Sequence, residues 1–227
     1  MAQVILVRHA QSTWNLENKF TGWVDIDLSK FGEEEALGAG KIIKNLEIKF
    51  DVAYASILLR STHTLEIILK QIKQEKLIIS KDWRLNERHY GGLQGLNKED
   101  TSKSFGEEQV LQWRRSYSIR PPDMNEELFN SMRKDKLFND IPEDKLPKSE
   151  SLKDTTERLT PFIKNIFLRD ISADKNIIIS AHGNSLRALI KYIENISDED
   201  ILKLEIPTGK PIIMKFKNGL YLSRKYL

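Results

Sequence analysis

The 227-residue chain reads as an α/β protein, with a mostly parallel sheet packed under helices on both faces. Three observations predict this class. Val4-Ile5-Leu6-Val7 and Ile177-Ile178-Ile179 are short, bounded aliphatic runs, the pattern of strands buried on both sides. Strand-like and helix-period segments then alternate along the chain, which favours a parallel sheet over an antiparallel one. The length is enough to bury a sheet between two helical layers as one unit spanning 1–227.

Each element has its own signal. After the first strand and a polar loop, Glu33 to Leu46 carries Ala36, Leu37, Ile42, Ile43 and Leu46 at helical spacing, with acids in its first turn. Asp51 to Ser56 reads as a second strand. Arg60 to Gln74 places Leu65, Ile68, Leu69 and Ile72 on one helical face, and Leu77-Ile78-Ile79 resumes the sheet. Residues 118–150 break the rhythm with Pro121, Pro122, Pro142 and Pro147 in a charged stretch of few apolar anchors, so an excursion over the sheet edge or site is expected. A helix from Leu152 to Leu168, the strand before His182, a helix from Ser185 to Ile193 and a short helix after Ser197 follow, with Asp200 at the capping-box offset. Ile212 to Phe216, Asn218-Gly219 and Leu220 to Leu222 form a terminal hairpin pattern.

Composition narrows the function classes. The net charge of +3 is far from that of a protein that coats nucleic acid, and an anionic small molecule is the milder inference. The absence of Cys excludes a disulfide framework, a thiol nucleophile and a zinc-thiolate site. The first apolar run is four residues long and meets Arg8, and later apolar stretches are too short to span a bilayer, so neither a leader nor a membrane segment is expected and the cytoplasm is the default location.

His9 and His182 each stand immediately after a predicted strand. In an open parallel sheet, ligands bind beyond the carboxyl ends of the strands, so both imidazoles can reach one crevice. A lone histidine there is more often a hydrogen-bonded ring that holds a loop. His9 has company: Arg8, Ser12 and Asn15, then Thr21-Gly22, form a loop rich in donors, and Arg60 opens the next helix, where the dipole favours an anion. Permanently charged, bidentate guanidinium groups in such a loop suit a phosphate. Glu87 lies beside Arg84 and Arg88, and its residues alone leave a salt bridge open as an alternative to a chemical role. His63 and His89 read as structural, and the four tryptophans as core or pocket walls. No metal-binding spacing occurs, and Asp198-Glu199-Asp200 fits an acidic helix start.

Arg8-His9-Ala10-Gln11-Ser12-Thr13-Trp14-Asn15, Phe20-Thr21-Gly22-Trp23, Leu85 to Gly95 with Glu87-Arg88-His89-Tyr90-Gly91, Trp113-Arg114-Arg115 and Ala181-His182-Gly183-Asn184-Ser185-Leu186-Arg187 together resemble cofactor-dependent phosphoglycerate mutases of the histidine phosphatase superfamily. The similarity runs nearly end to end. It implies a three-layer α/β/α sandwich, interconversion of 2- and 3-phosphoglycerate primed by 2,3-bisphosphoglycerate, no metal, no nucleic-acid partner, and a homodimer or higher oligomer. By matching position, His9 is the nucleophile, Glu87 the proton shuttle and His182 the stabiliser of the transferring group. Arg8, Ser12, Asn15, Thr21, Gly22, Arg60, Gly183 and Asn184 are implied around that phosphoryl, with Tyr90, Lys98, Arg114 and Arg115 at the far anionic end of the substrate.

Two departures stand out. Ala10 adds a Cβ where the family has Gly, and the chain ends at Leu227 where a further tail is expected in relatives, which bears on water exclusion. Phosphatase or bisphosphoglycerate synthase-like activity is the alternative within enzymes. A silent phosphate-binding module is the alternative outside them, and a nucleophile paired with a proton shuttle argues against it.

Overall fold

The computed structural model describes residues 1–227. Its sheet contains β1 (Gln3–Arg8), β2 (Val52–Ala55), β3 (Ile79–Lys81), β4 (Ile177–Ala181), β5 (Pro211–Lys217) and β6 (Leu220–Tyr226), in the order β3-β2-β4-β1-β5-β6. β3, β2, β4 and β1 run parallel, and β5 and β6 close the edge as an antiparallel hairpin.

Alternation in the strands produces the layers. Val4 and Leu6 of β1, with Ile177 and Ile179 of β4, face one core; Ile5, Val7 and Ile178 face the other. All are fully buried, each contributing about 1.5–3 kcal/mol of transfer free energy. A short α1 (Thr13–Leu16) is followed by α2 (Lys30–Lys44) and α3 (Leu59–Gln71), whose Ala39, Ile43, Leu65, Ile68 and Leu69 cover the second face. Next come α4 (Lys98–Phe105), α5 (Glu107–Arg115), α6 (Glu126–Arg133), α7 (Leu152–Phe162), α8 (Leu168–Ser172) and α9 (Gly183–Glu194). Leu159, Phe162, Ile171, Leu186 and Leu189 from the last three cover the first face. The three-layer α/β expectation holds.

Some boundaries differ from those read in the sequence. α2 starts at Lys30 because the Ser29 side chain accepts from the Gly32 N–H, one turn ahead of the apolar pattern. The expected helix to Leu168 is interrupted: Pro161 has no N–H to give to the preceding turn, and a wider turn over Ile163–Phe167 intervenes before α8. The hairpin extends to Tyr226 and turns through Asn218 (φ 52°) and Gly219 (φ 79°), left-handed at both positions as a tight two-residue turn requires. After Ser197 there is only a single 3-10 turn, Asp200–Lys203, although Ser197 Oγ does accept from the Asp200 N–H at 3.0 Å.

The 118–150 segment is better anchored than its composition suggested. Met124, Met132, Phe138 and Ile141 gather on Trp23 as a separate small core. Its α6 is capped by Asn125, whose side chain accepts from the Leu128 N–H at 2.8 Å.

Candidate active site

The register of two strands sets the site. Arg8 of β1 lies opposite Ala181 of β4, and the next residue on each strand is a histidine. The His9 N–H donates to the Ala181 carbonyl at 2.9 Å, which extends the ladder by one step. The two imidazole centroids lie 4.9 Å apart, although the residues are separated by most of the chain. Both rings are buried.

The local bonds select a protonation state for His9. Its Nδ1 lies 2.8 Å from the Ala10 carbonyl, an oxygen that can only accept, so Nδ1 carries the hydrogen. In the neutral ring the lone pair is then on Nε2, which has no hydrogen-bond partner. Burial holds the His9 pKa well below 6.5, and the cations of Arg60 and Arg8 push it the same way against a smaller opposing effect of the Ala10 carbonyl. His182 is lowered likewise, first by burial and then by Arg60, His9 and Arg8. Its Nε2 meets Ser56 Oγ at 2.7 Å, which leaves the buried Nδ1 without a partner. The pair is therefore two uncharged rings among guanidinium groups.

Glu87 reaches the same place from the loop after β3. It makes neither of the salt bridges that its neighbours suggested: Arg84 pairs with Asp82, and Glu87 Oε1 accepts instead from the backbone N–H groups of Arg88 at 2.8 Å and Asn184 at 3.1 Å. The carboxylate thus takes up the N-terminal end of α9. A Cβ on Gly183 would stand 3.6 Å from Arg8 Nε and 3.7 Å from Glu87 Oε2, so Gly183 lies between an arginine and the acid. Asn184 is not the cap of α9; Ser185 Oγ, which accepts from the His182 N–H at 3.1 Å, supplies that closure.

A cleft of about 160 Å³ opens over these groups. Its walls bring together Arg8, Glu87, Tyr90 and Lys98 with Arg114, Arg115, Gly183 and Asn184. Neither catalytic-candidate imidazole lines the cleft itself, but each is one residue from a lining residue. Burial is the largest influence on the Tyr90 phenol and raises it, but the Arg88 guanidinium, 4.6 Å over its ring, and the Lys98 ammonium together leave it below its usual value. Burial lowers the Lys98 ammonium.

The remaining predicted residues lie outside the cleft lining. Ser12 and Asn15 form a reciprocal capping box at α1, each accepting from the other's backbone N–H at 3.1 Å. Arg60 is buried, and its Nη1 and Nη2 donate to the carbonyls of Val24 and Gly22 at 2.9 and 2.7 Å; only Nε is unpartnered. Burial brings its pKa down to about 10. Gly22 needs its left-handed backbone (φ 57°), and a Cβ there would overlap the Gln94 side chain. Thr21 Oγ1, Arg8 Nε, Arg60 Nε and His182 Nδ1 remain buried without partners. Of these, Arg8 and Arg60 act directly on the histidine pair, and unpartnered donors gathered there suit a compact oxyanion, since buried polar groups are otherwise satisfied.

Ala10 causes no visible strain. Its backbone is not left-handed, its N–H donates to Thr64 Oγ1 at 3.0 Å, and its methyl group fills a small apolar contact with Leu28 and Ala36. His89 is structural as expected: its Nδ1 accepts from the Gly91 N–H at 3.0 Å, and burial with the Arg158 cation brings it down to about 3. His63 makes only a partly exposed pair with Asp27.

Two charged cleft residues, Arg187 and Glu205, escaped the sequence reading, as did the apolar Leu204 and Ile206. Arg187 stands one turn after Asn184 on α9, a spacing that could have found it. Glu205 comes in on a loop with no motif of its own.

The chain as a whole has close counterparts among known proteins. The family model described as histidine phosphatase superfamily (branch 1) matches residues 4–135 and 130–226, and the chain belongs to that superfamily. Among curated relatives, a Staphylococcus epidermidis protein is 49% identical over 226 residues, covering 100% of this chain and 99% of its own length. One from Lactobacillus johnsonii is 48% identical over 99% of this chain and 98% of its own, and one from Parabacteroides distasonis is 45% identical over 100% of this chain and 91% of its own. All three are named as 2,3-bisphosphoglycerate-dependent phosphoglycerate mutases, the family to which this chain belongs. The longer tail expected of relatives is not general, because the staphylococcal protein is matched almost throughout.

Solved structures agree on the fold. A mycobacterial glucosyl-3-phosphoglycerate phosphatase superposes with a TM-score of 0.73 at 19% identity, over 95% of this chain and 93% of that one. A phosphoglycerate mutase from Bacillus anthracis gives 0.69 at 21%, over 97% and 90%.

Proposed function

We propose that this protein interconverts 2-phosphoglycerate and 3-phosphoglycerate by passing a phosphoryl group through His9. The observation that carries the proposal is the His9 tautomer: with Nδ1 tied to the Ala10 carbonyl, the Nε2 lone pair is free and unprotonated in an arginine-rich pocket.

The residues divide the work. His9 Nε2 attacks phosphorus in line with the leaving oxygen. Arg8 and Arg60 hold the equatorial oxygens, with the unpartnered donors Thr21 Oγ1 and His182 Nδ1 completing the cradle. Ser12, Asn15 and Gly22 shape the loop that closes around it, and the α9 start adds the backbone N–H of Gly183, beside the Asn184 N–H that holds Glu87. Glu87 gives a proton to the leaving alkoxide and takes one from the hydroxyl that later attacks phospho-His9, so the proton count balances over a cycle. Tyr90, Lys98, Arg114 and Arg115 hold the distal carboxylate or phosphate, which keeps the acceptor hydroxyl within reach.

The leftover donors and the small cationic cleft fit a compact bisphosphorylated ester. 2,3-Bisphosphoglycerate, when bound, supplies the phosphoryl that primes His9. Arginines spread the phosphoryl charge in this scheme, and no group of three or more metal-ligating side chains is assembled anywhere in the fold. No helix is long and apolar enough to cross a membrane. The substrate is small and anionic, the site of action is the cytoplasm, and the oligomer is a homodimer or larger.

Incubation with bisphosphoglycerate labelled in its phosphates is expected to leave acid-labile, alkali-stable label on the protein, absent in His9→Ala. Label retained by His9→Ala rejects the nucleophile. Measuring isomerisation and phosphate release together then separates mutase from phosphatase; release exceeding isomerisation rejects the mutase reading.

A further inference from the structure

The cationic cleft has two acids in its wall, and only one of them is committed by its neighbours. Glu87 is held by two backbone N–H groups. Glu205 is different. Its carboxylate meets Arg115 Nη1 at 2.7 Å, and neither residue makes another ion pair. Both side chains are partly open to solvent, at 67% for Glu205 and 42% for Arg115.

The backbone beneath Glu205 is fixed at three points. Arg8 Nη1 donates to the Ile206 carbonyl at 2.9 Å, and Arg187 Nη2 donates to the Ile201 carbonyl at 2.7 Å. The Tyr226 hydroxyl donates to the carbonyl of Glu205 itself. A tethered loop thus presents an exposed carboxylate to a cleft built for anions, on the arginine assigned above to the distal end of the substrate. An exposed pair of this kind is weak enough for a ligand to open.

We infer that Glu205 is a built-in counter-anion of the cleft: it competes with the distal anionic group of the ligand for Arg115 and thereby sets the preference between less and more highly charged phosphoesters. In its phosphoglycerate form the inference rests on the proposed function. A fixed carboxylate at the rim repels each negative charge that enters. A bisphosphate brings about two more of these near neutral pH than the monophosphate does. Discrimination against the more charged ligand follows, strongest at low ionic strength where exposed charges are least screened. The device would keep the primer from saturating a cleft that must also turn over the monophosphate.

The test is calorimetric titration of the full-length protein, Glu205→Gln and Glu205→Asp with 3-phosphoglycerate and 2,3-bisphosphoglycerate, at about 0.02 M and about 0.15 M ionic strength. Removing the charge is expected to tighten the bisphosphate about tenfold and the monophosphate about threefold at low salt, with both gains shrinking at the higher salt. Glu205→Asp, which keeps the charge, should retain most of the parent's discrimination. An unchanged ratio of affinities in Glu205→Gln, or weaker binding of both ligands, overturns the inference. Parallel titrations with inorganic phosphate and pyrophosphate apply the same charge comparison without a carbon skeleton. If phosphoglycerates do not bind the parent, the functional reading fails while the pyrophosphate-to-phosphate ratio still judges Glu205. Binding of none of the four anions overturns both.

Discussion

Arg158 is the most informative residue to remove, because it supports the site without facing the cleft. It is buried on α7, with its side chain 6% exposed, and pairs with Glu150, 4% exposed, through Nε at 2.6 Å and Nη2 at 3.0 Å. Its remaining donors reach the carbonyls of Arg84 at 2.8 Å and of Asn86 and Glu87 at 3.2 Å. One guanidinium thus fastens the loop that carries Glu87, and Trp23 Nε1 adds a bond to the same Glu87 carbonyl at 2.6 Å. Arg158→Met leaves Glu150 as a buried carboxylate with only the His89 N–H, at 2.9 Å, to answer it. Breaking a buried pair from one side costs about 3–5 kcal/mol. In a chain of this length each kcal/mol moves the melting temperature by about 2–4 °C, so a fall of roughly 6–20 °C is expected. Adding Glu150→Gln to Arg158→Met removes the stranded charge and should recover part of that fall. Thermal unfolding followed by circular dichroism decides the matter. A melting temperature for Arg158→Met within about 2 °C of the parent, or a double variant no more stable than the single, refutes the reasoning.

Three further outcomes follow from the geometry. Gly91 has φ 57° and a Cβ there would run into the Pro122 carbonyl, whereas Gly106 (φ 85°) has open space, so Gly91→Ala should lose about 2 kcal/mol or more in urea unfolding and clearly exceed Gly106→Ala; equal losses would remove the steric argument. His9, His182 and His89 are all held neutral below 6.5, chiefly by burial, so the unfolded chain binds more protons than the folded one as pH falls through that value. Their stabilisation is complete above 6.5 and drains away on acidification, by up to about 1.4 kcal/mol per pH unit for each group; denaturant titrations at pH 7.5 and 5.5 should show the loss, and equal stability at both would contradict it. Asp154, brought down to about 2 chiefly by its bonds to Arg120 and Ser151 against the opposing effect of burial, loses its contribution only below its ordinary 3.8 and leaves that window untouched. Exhaustive chelation should leave phosphoglycerate turnover intact, and a large loss restored by added metal would defeat the arginine scheme.

What the sequence made legible is what local chemistry dictates. Ile177-Ile178-Ile179 and Val4 to Val7 are strands because they are aliphatic on both faces, and the histidines that follow them meet because parallel neighbours share one carboxyl end. Other features depend on partners remote in the chain. Met124, Met132, Phe138 and Ile141 look sparse among charges until Trp23 is placed beneath them. Ser12 and Asn15 read in a row as phosphate donors, and only the backbone shows that they also cap one another, through the acceptors Ser12 Oγ and Asn15 Oδ1. Glu87 beside two arginines suggests a salt bridge, but its loop turns the carboxylate away from both and onto the start of α9. Glu205 has no local signature, because only the closing of a distant loop brings it to Arg115.

The place of β4 in the sheet has a consequence for synthesis. This strand inserts between β1 and β2, which precede it by well over a hundred residues, so a nascent chain can assemble those two strands only around a gap. The imidazole after β1 has no companion until residue 182 has left the ribosome and the missing strand has slotted in. A chain that ends before β4 is therefore expected to lack any turnover that depends on the paired imidazoles, which come together only as that strand completes the hydrogen-bond ladder.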